Sequence, residues 1–162
     1  RQGILSEGGC MIHEKSEIHP TVKLGDGTQV WQFATICEKT FLGKNCVVGS
    51  CAWIGRNCRI GDNVRIQHGA FIPNGSVIED NVFIGPNVTM TDDKYPRSGN
   101  TAYIPQPPLI CHGASIGAGT IILPGVTIGP GTMVAAGAVV TRTMVGEDIL
   151  VGFPAKAKKA HE

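Results

Sequence analysis

A branched aliphatic residue, or one nearly so, occupies every sixth position along most of the chain. The series is unbroken from Ile18 to Met90 and resumes from Ile110 to Val140. An amphipathic helix repeats at about 3.6 residues and a single strand at about two, so neither explains this period. A chain that forms a short strand, turns and forms another repeats in this way when coil stacks on coil. The pattern therefore predicts a solenoid.

Two further positions of the repeat are restricted. Glycine often follows the aliphatic residue, as at Gly43, Gly49 and Gly61, and the residue three positions later is small or β-branched, as at Ala52 and Val64. We expect the aliphatic side chains to point inward and to stack on their equivalents in neighbouring coils. The small residues would fill narrow corners, where glycine permits a close approach or an unusual backbone angle. The stacked strands would be parallel, with neighbours above and below.

The repeat is interrupted once, between Met90 and Ile110. The intervening residues are rich in turn formers and prolines, which predict a loop that leaves the solenoid. A long loop in an otherwise regular repeat is usually functional.

We expect a single domain, because the chain has 162 residues and one continuous repeat. A short C-terminal helix would begin at Pro154, run through Ala160 and cover the open end of the solenoid. The expected divisions are an N-terminal lead-in over 1–17, the solenoid over 18–145 with the inserted loop over 91–109, and a cap and tail over 146–162.

Composition and charge exclude several function classes. A formal net charge of +1 gives no electrostatic case for binding nucleic acid or an anionic membrane. No apolar run approaches the ~20 residues needed to cross a bilayer, and the first residues lack the pattern of a secretory signal. The six cysteines form no C-x-x-C pair, which argues against a zinc knuckle. Cys46 and Cys58 fall in the small position, so we expect buried, reduced thiols and a cytoplasmic location.

The six-residue pattern, [LIV]-Gly-x-x-[small]-x, resembles that of the left-handed β-helix acyltransferases, the hexapeptide-repeat family. The ending Val151-Gly152-Phe153-Pro154-Ala155-Lys156 looks like the Val-Gly-x-Pro-Ala-Lys ending of the same family. The segment 85–98, which contains Asp92-Asp93-Lys94-Tyr95-Pro96-Arg97, resembles that of N-acetyltransferases acting on nucleotide-linked 3-amino sugars, as does Trp31 with Gln32 and Phe33.

This resemblance implies an all-β, left-handed parallel β-helix and a homotrimer with acetyl-CoA bound between adjacent subunits. It also implies an acetyl-CoA-dependent N-acetyltransferase acting on a UDP- or dTDP-linked amino sugar destined for surface polysaccharide. A trimer agrees with the predicted shape, because a loop from one prism-shaped solenoid can close over the face of the next.

Acetyl transfer to an amine needs a proton acceptor and donors for the thioester oxygen as it gains charge. His68 is the best candidate for the base, because it follows Ile66 by two positions, where the side chain faces outward, and imidazole suits proton transfer near neutral pH. Some members of the resembled subgroup carry asparagine at this position, where it orients the amine, so both roles stay open for His68. His112, which follows the loop, is the second candidate base.

Other polar residues are candidate substrate contacts. Gln67 and Asn74 would orient the sugar or the acetyl group, or serve only as turn residues. The loop offers Asp92 and Asp93 for the sugar amine or hydroxyls, Arg97 for a carboxylate or phosphate, and Tyr95 for stacking.

The later coils offer a site for acetyl-CoA. Small side chains leave the outer wall nearly bare, so that a pantetheine arm can lie against the backbone, and basic residues near the C-terminus would meet the phosphates. The candidate CoA-binding residues are Gly117, Ala118, Ala135, Ala136, Gly137, Arg142, Lys156 and Lys158.

Three alternatives remain at this stage. O-acetylation of a sugar or serine hydroxyl would use the same site and make a base indispensable. A metalloenzyme like the γ-class carbonic anhydrases needs three histidines, but only His68 and His112 lie within the coils, so we expect no metal. A non-catalytic solenoid scaffold would bind no CoA.

Overall fold

The chain folds into a left-handed parallel β-helix of about eight turns, which confirms the predicted solenoid. The computed structural model describes residues 3–5, 9–146 and 149–158. Most strands are two residues long and are joined by four-residue turns, so three strands and three turns complete a coil. The aliphatic residue of each repeat is the second residue of its strand, which explains the period in the sequence.

The strands form three sheets, here called A, B and C, which are the three faces of the prism. Sheet A contains β1 (Gly3–Leu5), β2 (Met11–His13), β5 (Gln29–Val30), β8 (Val47–Val48), β11 (Arg65–Ile66), β14 (Phe83–Ile84), β17 (Ser115–Ile116), β20 (Met133–Val134), β22 (Ile149–Val151) and β23 (Lys156–Lys158). Sheet B contains β3 (Glu17–Ile18), β6 (Thr35–Ile36), β9 (Trp53–Ile54), β12 (Phe71–Ile72), β15 (Thr89–Met90), β18 (Ile121–Ile122) and β21 (Val139–Val140). Sheet C contains β4 (Lys23–Leu24), β7 (Phe41–Leu42), β10 (Arg59–Ile60), β13 (Val77–Ile78), β16 (Leu109–Ile110) and β19 (Thr127–Ile128).

The chain passes from sheet A to B to C and back to A, so each pair of sheets meets at one corner. We call the turns from A to B the A–B corner; they are residues 14–16, 31–34, 49–52, 67–70, 85–88, 117–120 and 135–138. The B–C corner contains the turns 19–22, 37–40, 55–58, 73–76 and 123–126 and the loop 91–108. The C–A corner is formed by the turns that lead from sheet C back to sheet A. Residues one coil apart in a corner are stacked, which decides the neighbours of each site residue.

The core is a ladder of aliphatic side chains along the axis. Ile66 pairs in register with Val48 on one side and with Ile84 on the other, and all three are at most 1 % exposed. The small position is buried as predicted, including the thiols of Cys46 and Cys58. Because each coil covers the next, the interior is one continuous apolar column.

Where glycine follows the aliphatic residue, close approach between coils requires it. A Cβ on Gly49 would lie 2.6 Å from the backbone nitrogen of His68, which is too close for any side chain. The unusual backbone angle occurs two residues later in the turn, where Asn45, Asn63 and Asn81 all have positive φ. Asparagine tolerates this left-handed conformation better than most residues.

Both ends of sheet A are closed by an antiparallel strand. Strand β1 pairs with β2, and β23 pairs with β22. Parallel stacking itself extends from β2, inside the expected lead-in, to β22, inside the expected cap.

The predicted C-terminal helix is wrong for the described residues. Pro154 lies in a turn, and Lys156–Lys158 form β23; Ala160, the expected helix end, lies outside the described residues. The strand is favoured because the last parallel strand presents unpaired backbone groups, which β23 satisfies. Gly152, at φ 89°, permits the reversal.

Candidate active site

His68 lies in the A–B corner, directly after β11, and its side chain is exposed. Its imidazole Nδ1 accepts a hydrogen bond from the backbone N–H of Ser50, one coil away, at 3.1 Å. Gln67 precedes it and is half-buried. The histidine is therefore held against the wall of the solenoid by one ring nitrogen.

A groove extends from His68 toward the N-terminal coils along the same corner. It has a cavity volume of about 710 Å³. Its lining combines aromatic and basic residues: Met11, His13, Lys15, Trp31, Gln32, Phe33, Ser50 and His68. The groove is wide enough for a ligand much larger than an acetyl group.

Sequence reasoning missed His13 and Lys15 as possible site residues. They precede the aliphatic series, so no periodic signal marks them. They reach the groove because β2 pairs with β5, which stacks this segment beneath Trp31 and Phe33. The Lys15 ammonium lies 5.8 Å from the centroid of the Phe33 ring, within the range of a cation–π contact.

The five small residues proposed for CoA lie in the same corner, on the other side of His68. They belong to the turns at 117–120 and 135–138, where Ala118, Ala136 and Gly137 are exposed. Among the described residues, no acceptor lies within hydrogen-bond reach of the backbone N–H of Ala118 or Ala136. The wall therefore offers two backbone N–H groups that make no hydrogen bond to the described residues.

The basic residues proposed for CoA are divided between two places. Lys156 is exposed and pairs with Val151 at the end of sheet A, close to the A–B corner. The backbone of Lys158 belongs to the same strand, and its side chain is outside the described part of the structure. Arg142 is exposed but follows β21, so it lies toward the B–C corner.

The loop residues Asp92, Asp93, Tyr95 and Arg97 lie in the B–C corner, and Asn74 lies there too, one coil below Asp92. Sheet B separates this group from His68 within one chain. The proposed substrate residues therefore form two groups. Gln67 lies with His68 in the A–B corner, and Asn74 lies with the loop residues in the B–C corner.

The start of the loop is fixed by a tyrosine that sequence reasoning did not select. The Tyr103 hydroxyl donates to Asp92 Oδ2 at 2.6 Å, and this bond raises the pKa of Tyr103 to about 12. The backbone N–H of Gln106 also donates to the Asp92 carbonyl, at 2.8 Å. Asp92 is thus held in place, whereas Tyr95 and Arg97 are exposed.

His112, the second candidate base, lies in the C–A corner, where its backbone N–H donates to Glu79 Oε2 at 2.7 Å. It does not share a corner with either group of proposed site residues. Over the described ranges, no three His, Cys, Asp or Glu side chains cluster in a way that could hold a metal ion. Over the same ranges, no helix has the length and hydrophobicity to span a membrane.

The outer face of sheet B, between the two groups, is the least charged face of the prism. From its second strand onward its outward residues are Thr35, Trp53, Phe71, Thr89, Ile121 and Val139. Sheets A and C each present charged residues at the same height, such as Arg65 and Arg59.

A family model described as bacterial transferase hexapeptide (six repeats) matches residues 33–66, 57–92 and 107–142, more than half of the chain. No curated protein matches the chain significantly.

Solved structures with the same fold include three that match most of this chain. A variant of GDP-perosamine N-acetyl transferase from Caulobacter crescentus, in complex with CoA and GDP-perosamine, is 26 % identical, with a TM-score of 0.60; the match covers 92 % of this chain and 56 % of that chain. The acetyltransferase domain of PglB from Neisseria gonorrhoeae, with acetyl coenzyme A, is 19 % identical (TM-score 0.65), and WeeI from Acinetobacter baumannii is 23 % identical (TM-score 0.64); each match covers 92 % of this chain and 57 % of the other. The last two matches show similarity of fold only. The chain spans little more than half the length of these structures.

Proposed function

The chain belongs to the bacterial hexapeptide-repeat transferases, and we propose that it is an acetyl-CoA-dependent N-acetyltransferase acting on a nucleotide-linked amino sugar. One observation carries this proposal. His68 lies on a single corner of the solenoid, between a groove lined by aromatic and basic residues and a wall of small residues with unbonded backbone N–H groups. Two substrates laid end to end along this corner would meet at the histidine.

Acetyl-CoA occupies the wall on the C-terminal side. Its pantetheine amides and carbonyls lie against Gly117, Ala118, Ala135, Ala136 and Gly137, where the free N–H groups of Ala118 and Ala136 donate to ligand oxygens. Lys156, which is exposed at the end of sheet A, meets the phosphates of the nucleotide part. Arg142 lies toward the B–C corner. It would therefore contact the CoA bound by a neighbouring subunit and not the CoA bound by its own.

The amino sugar occupies the groove on the N-terminal side. Trp31 and Phe33 offer aromatic surface to a base or sugar ring, and Lys15 offers a positive charge to the diphosphate. The crystallised complex of the Caulobacter enzyme with GDP-perosamine supports this substrate class. Gln67 and His68 then stand nearest to the amine and the thioester.

Asn74 and the loop residues, which lie in the B–C corner, reach this site from a neighbouring copy in a homotrimer. The outer face of sheet B, which carries no charged residue from β6 onward, lies between the A–B and B–C corners, so burying it would bring the A–B corner of one subunit next to the B–C corner of the next. Asn74, Asp92 and Asp93 would then face the sugar amine and hydroxyls. Tyr95 and Arg97, which are exposed on the loop, would cover the nucleotide.

A thiol-release assay with acetyl-CoA tests this function. The acceptors are UDP-, GDP- and dTDP-linked amino sugars, and the matched control is the same nucleotide sugar with a hydroxyl in place of the amine. We expect CoA release that depends on the amine, with mass spectrometry showing one added acetyl group. CoA release that is equal with amine and hydroxyl sugars, or no release above hydrolysis with any of them, would contradict the proposal.

A further inference from the structure

The hydrogen bond between Ser50 and His68 determines which nitrogen of the imidazole carries the proton. A backbone N–H can donate only to a ring nitrogen with a free lone pair, so Nδ1 is unprotonated while this bond exists. In the neutral ring the proton is then on Nε2. Because Cε1 separates the two ring nitrogens, Nε2 points away from the Ser50 N–H, and no hydrogen bond joins it to another described residue.

The same bond recurs between other coils, where the acceptor is an oxygen. The backbone N–H of Lys44 donates to Asp62 Oδ1 at 2.7 Å, and that of Arg56 donates to Asn74 Oδ1 at 2.8 Å. In each case the acceptor lies one coil beyond the donor, as His68 lies one coil beyond Ser50. The Nδ1 atom of His68 therefore takes the place of a carboxylate or amide oxygen in a repeated feature of the corners.

The glycine position supports this arrangement. A Cβ on Gly49 would lie 3.1 Å from His68 Nδ1, and a Cβ on Gly55 would lie 2.6 Å from Asn74 Oδ1. Each glycine leaves room for the acceptor atom beside the N–H that follows it. The orientation of the His68 ring is thus determined by the backbone beneath it.

We propose that His68 acts through Nε2–H as a hydrogen-bond donor to the thioester oxygen of acetyl-CoA, and not as the base that deprotonates the amine. This inference rests on the proposed function. A base acting at Nε2 needs its lone pair there, which would put the proton on Nδ1, directly facing the Ser50 N–H. The donor role needs no such change and places a fixed N–H toward developing negative charge.

The chemical step balances without a protein base. The neutral amine forms a bond to the thioester carbon, and the carbonyl π electrons move to oxygen, where His68 Nε2–H stabilises them. The C–S bond then breaks, and sulfur leaves with the bonding pair. The extra proton on nitrogen passes to the departing thiolate, which gives the amide and CoA thiol.

Long-range ¹H–¹⁵N spectra of the free protein test the tautomer without any substrate. We expect a pyridine-like Nδ1 and a pyrrole-like Nε2 for neutral His68, with the signal assigned from its loss in His68→Asn. The control is Ser50→Pro, which removes the donor; Pro86 occupies the equivalent position in the next coil but one, so proline fits there. This variant should lose the tautomer preference. A pyrrole-like Nδ1 in the wild type, or no change in Ser50→Pro, would overturn the inference.

Kinetics of two variants test the role. Asparagine at position 68 can accept from Ser50 through its oxygen, as Asn74 does from Arg56, and keeps an outward N–H without being a base. We expect kcat for His68→Asn within about tenfold of wild type and a loss of about 10²-fold or more for His68→Ala. Equal losses in the two variants would overturn the donor role: large equal losses would show that basicity is needed, and small ones that His68 acts in neither way. A wild-type protein that acetylates no amine would instead defeat the proposed function, while the spectra would still report the tautomer.

Discussion

The indole ring of Trp53 lies parallel to the phenyl ring of Phe71 on the neighbouring coil, with centroids 4.8 Å apart and planes inclined by 7°. The pair lies on the outer face of sheet B, where Phe71 remains 40 % exposed. From β6 onward this face carries no charged residue, and stacked aromatic surface in such a setting is typical of surface buried by association.

Phe71→Glu should therefore dissociate the proposed homotrimer. A charge at this position would be buried and, by symmetry, repeated in every subunit, which strongly disfavours assembly. The matched control is Phe41→Glu, because Phe41 is 46 % exposed on sheet C. Sedimentation velocity should show trimers for the wild type and the control and monomers for Phe71→Glu. If both variants remain trimeric, sheet B is not the interface.

Gly49→Ala should destabilise the fold. The new methyl group would lie 2.6 Å from the backbone nitrogen of His68 and 2.8 Å from the carbonyl carbon of Gln67. The two coils must therefore separate locally. We expect a loss of about 1–3 kcal/mol, the usual range for overpacking, measured as a lower urea midpoint. Ser50→Ala, in the same turn, should change the midpoint little. A wild-type midpoint for Gly49→Ala would show that the coils are not packed this closely.

The buried Cys58 thiol should make stability depend on pH in the alkaline range. Burial raises its pKa from the ordinary value of 9.0 to about 11. A group whose pKa is higher in the folded state contributes stability below the unfolded pKa and loses it as pH rises through the folded value. The urea midpoint should therefore fall between pH 9 and 11, and it should fall less in Cys58→Ala. Parallel pH curves for the two proteins would contradict this.

Much of the fold could be predicted because its cause is local and repeated. The position of Ile66 in the period of six already places it inward, and Gly49 marks the close approach of coils. Strand β23 could not be predicted, since Pro154-Ala155-Lys156 has no period and its structure is set by the unpaired edge of β22. The segment alone is compatible with a helix start.

The candidate site was predictable only in part. The outward direction of His68 follows from its place after Ile66, but its bond to Ser50 depends on which residues stack one coil apart. Lys15 lies outside the periodic region, so only the pairing of β2 with β5 reveals it. The separation of Asp92 from His68 by sheet B is a property of the corners, and no local sequence signal reports it.

Ala118→Trp should block the CoA wall. An indole at this exposed position would fill the space proposed for the pantetheine arm. The matched control is Pro130→Trp, at the equivalent turn position of the C–A corner, which is also exposed. Calorimetry with CoA should show binding weakened by tenfold or more for Ala118→Trp and unchanged for the control. Equal affinities would place CoA elsewhere.

Subunit complementation tests the central claim most directly, namely that the site joins the His68 corner of one subunit to the loop of the next. One parent carries His68→Ala, and the other carries Asp92→Asn with Asp93→Asn. Mixed trimers, assembled from differently tagged chains, are assayed for acetyl transfer to the accepted amino sugar. We predict activity well above both parents, at about a quarter of wild type for random mixing, because one site in four would combine two intact parts. Activity no higher than the average of the parents would show that the two groups do not form a shared site.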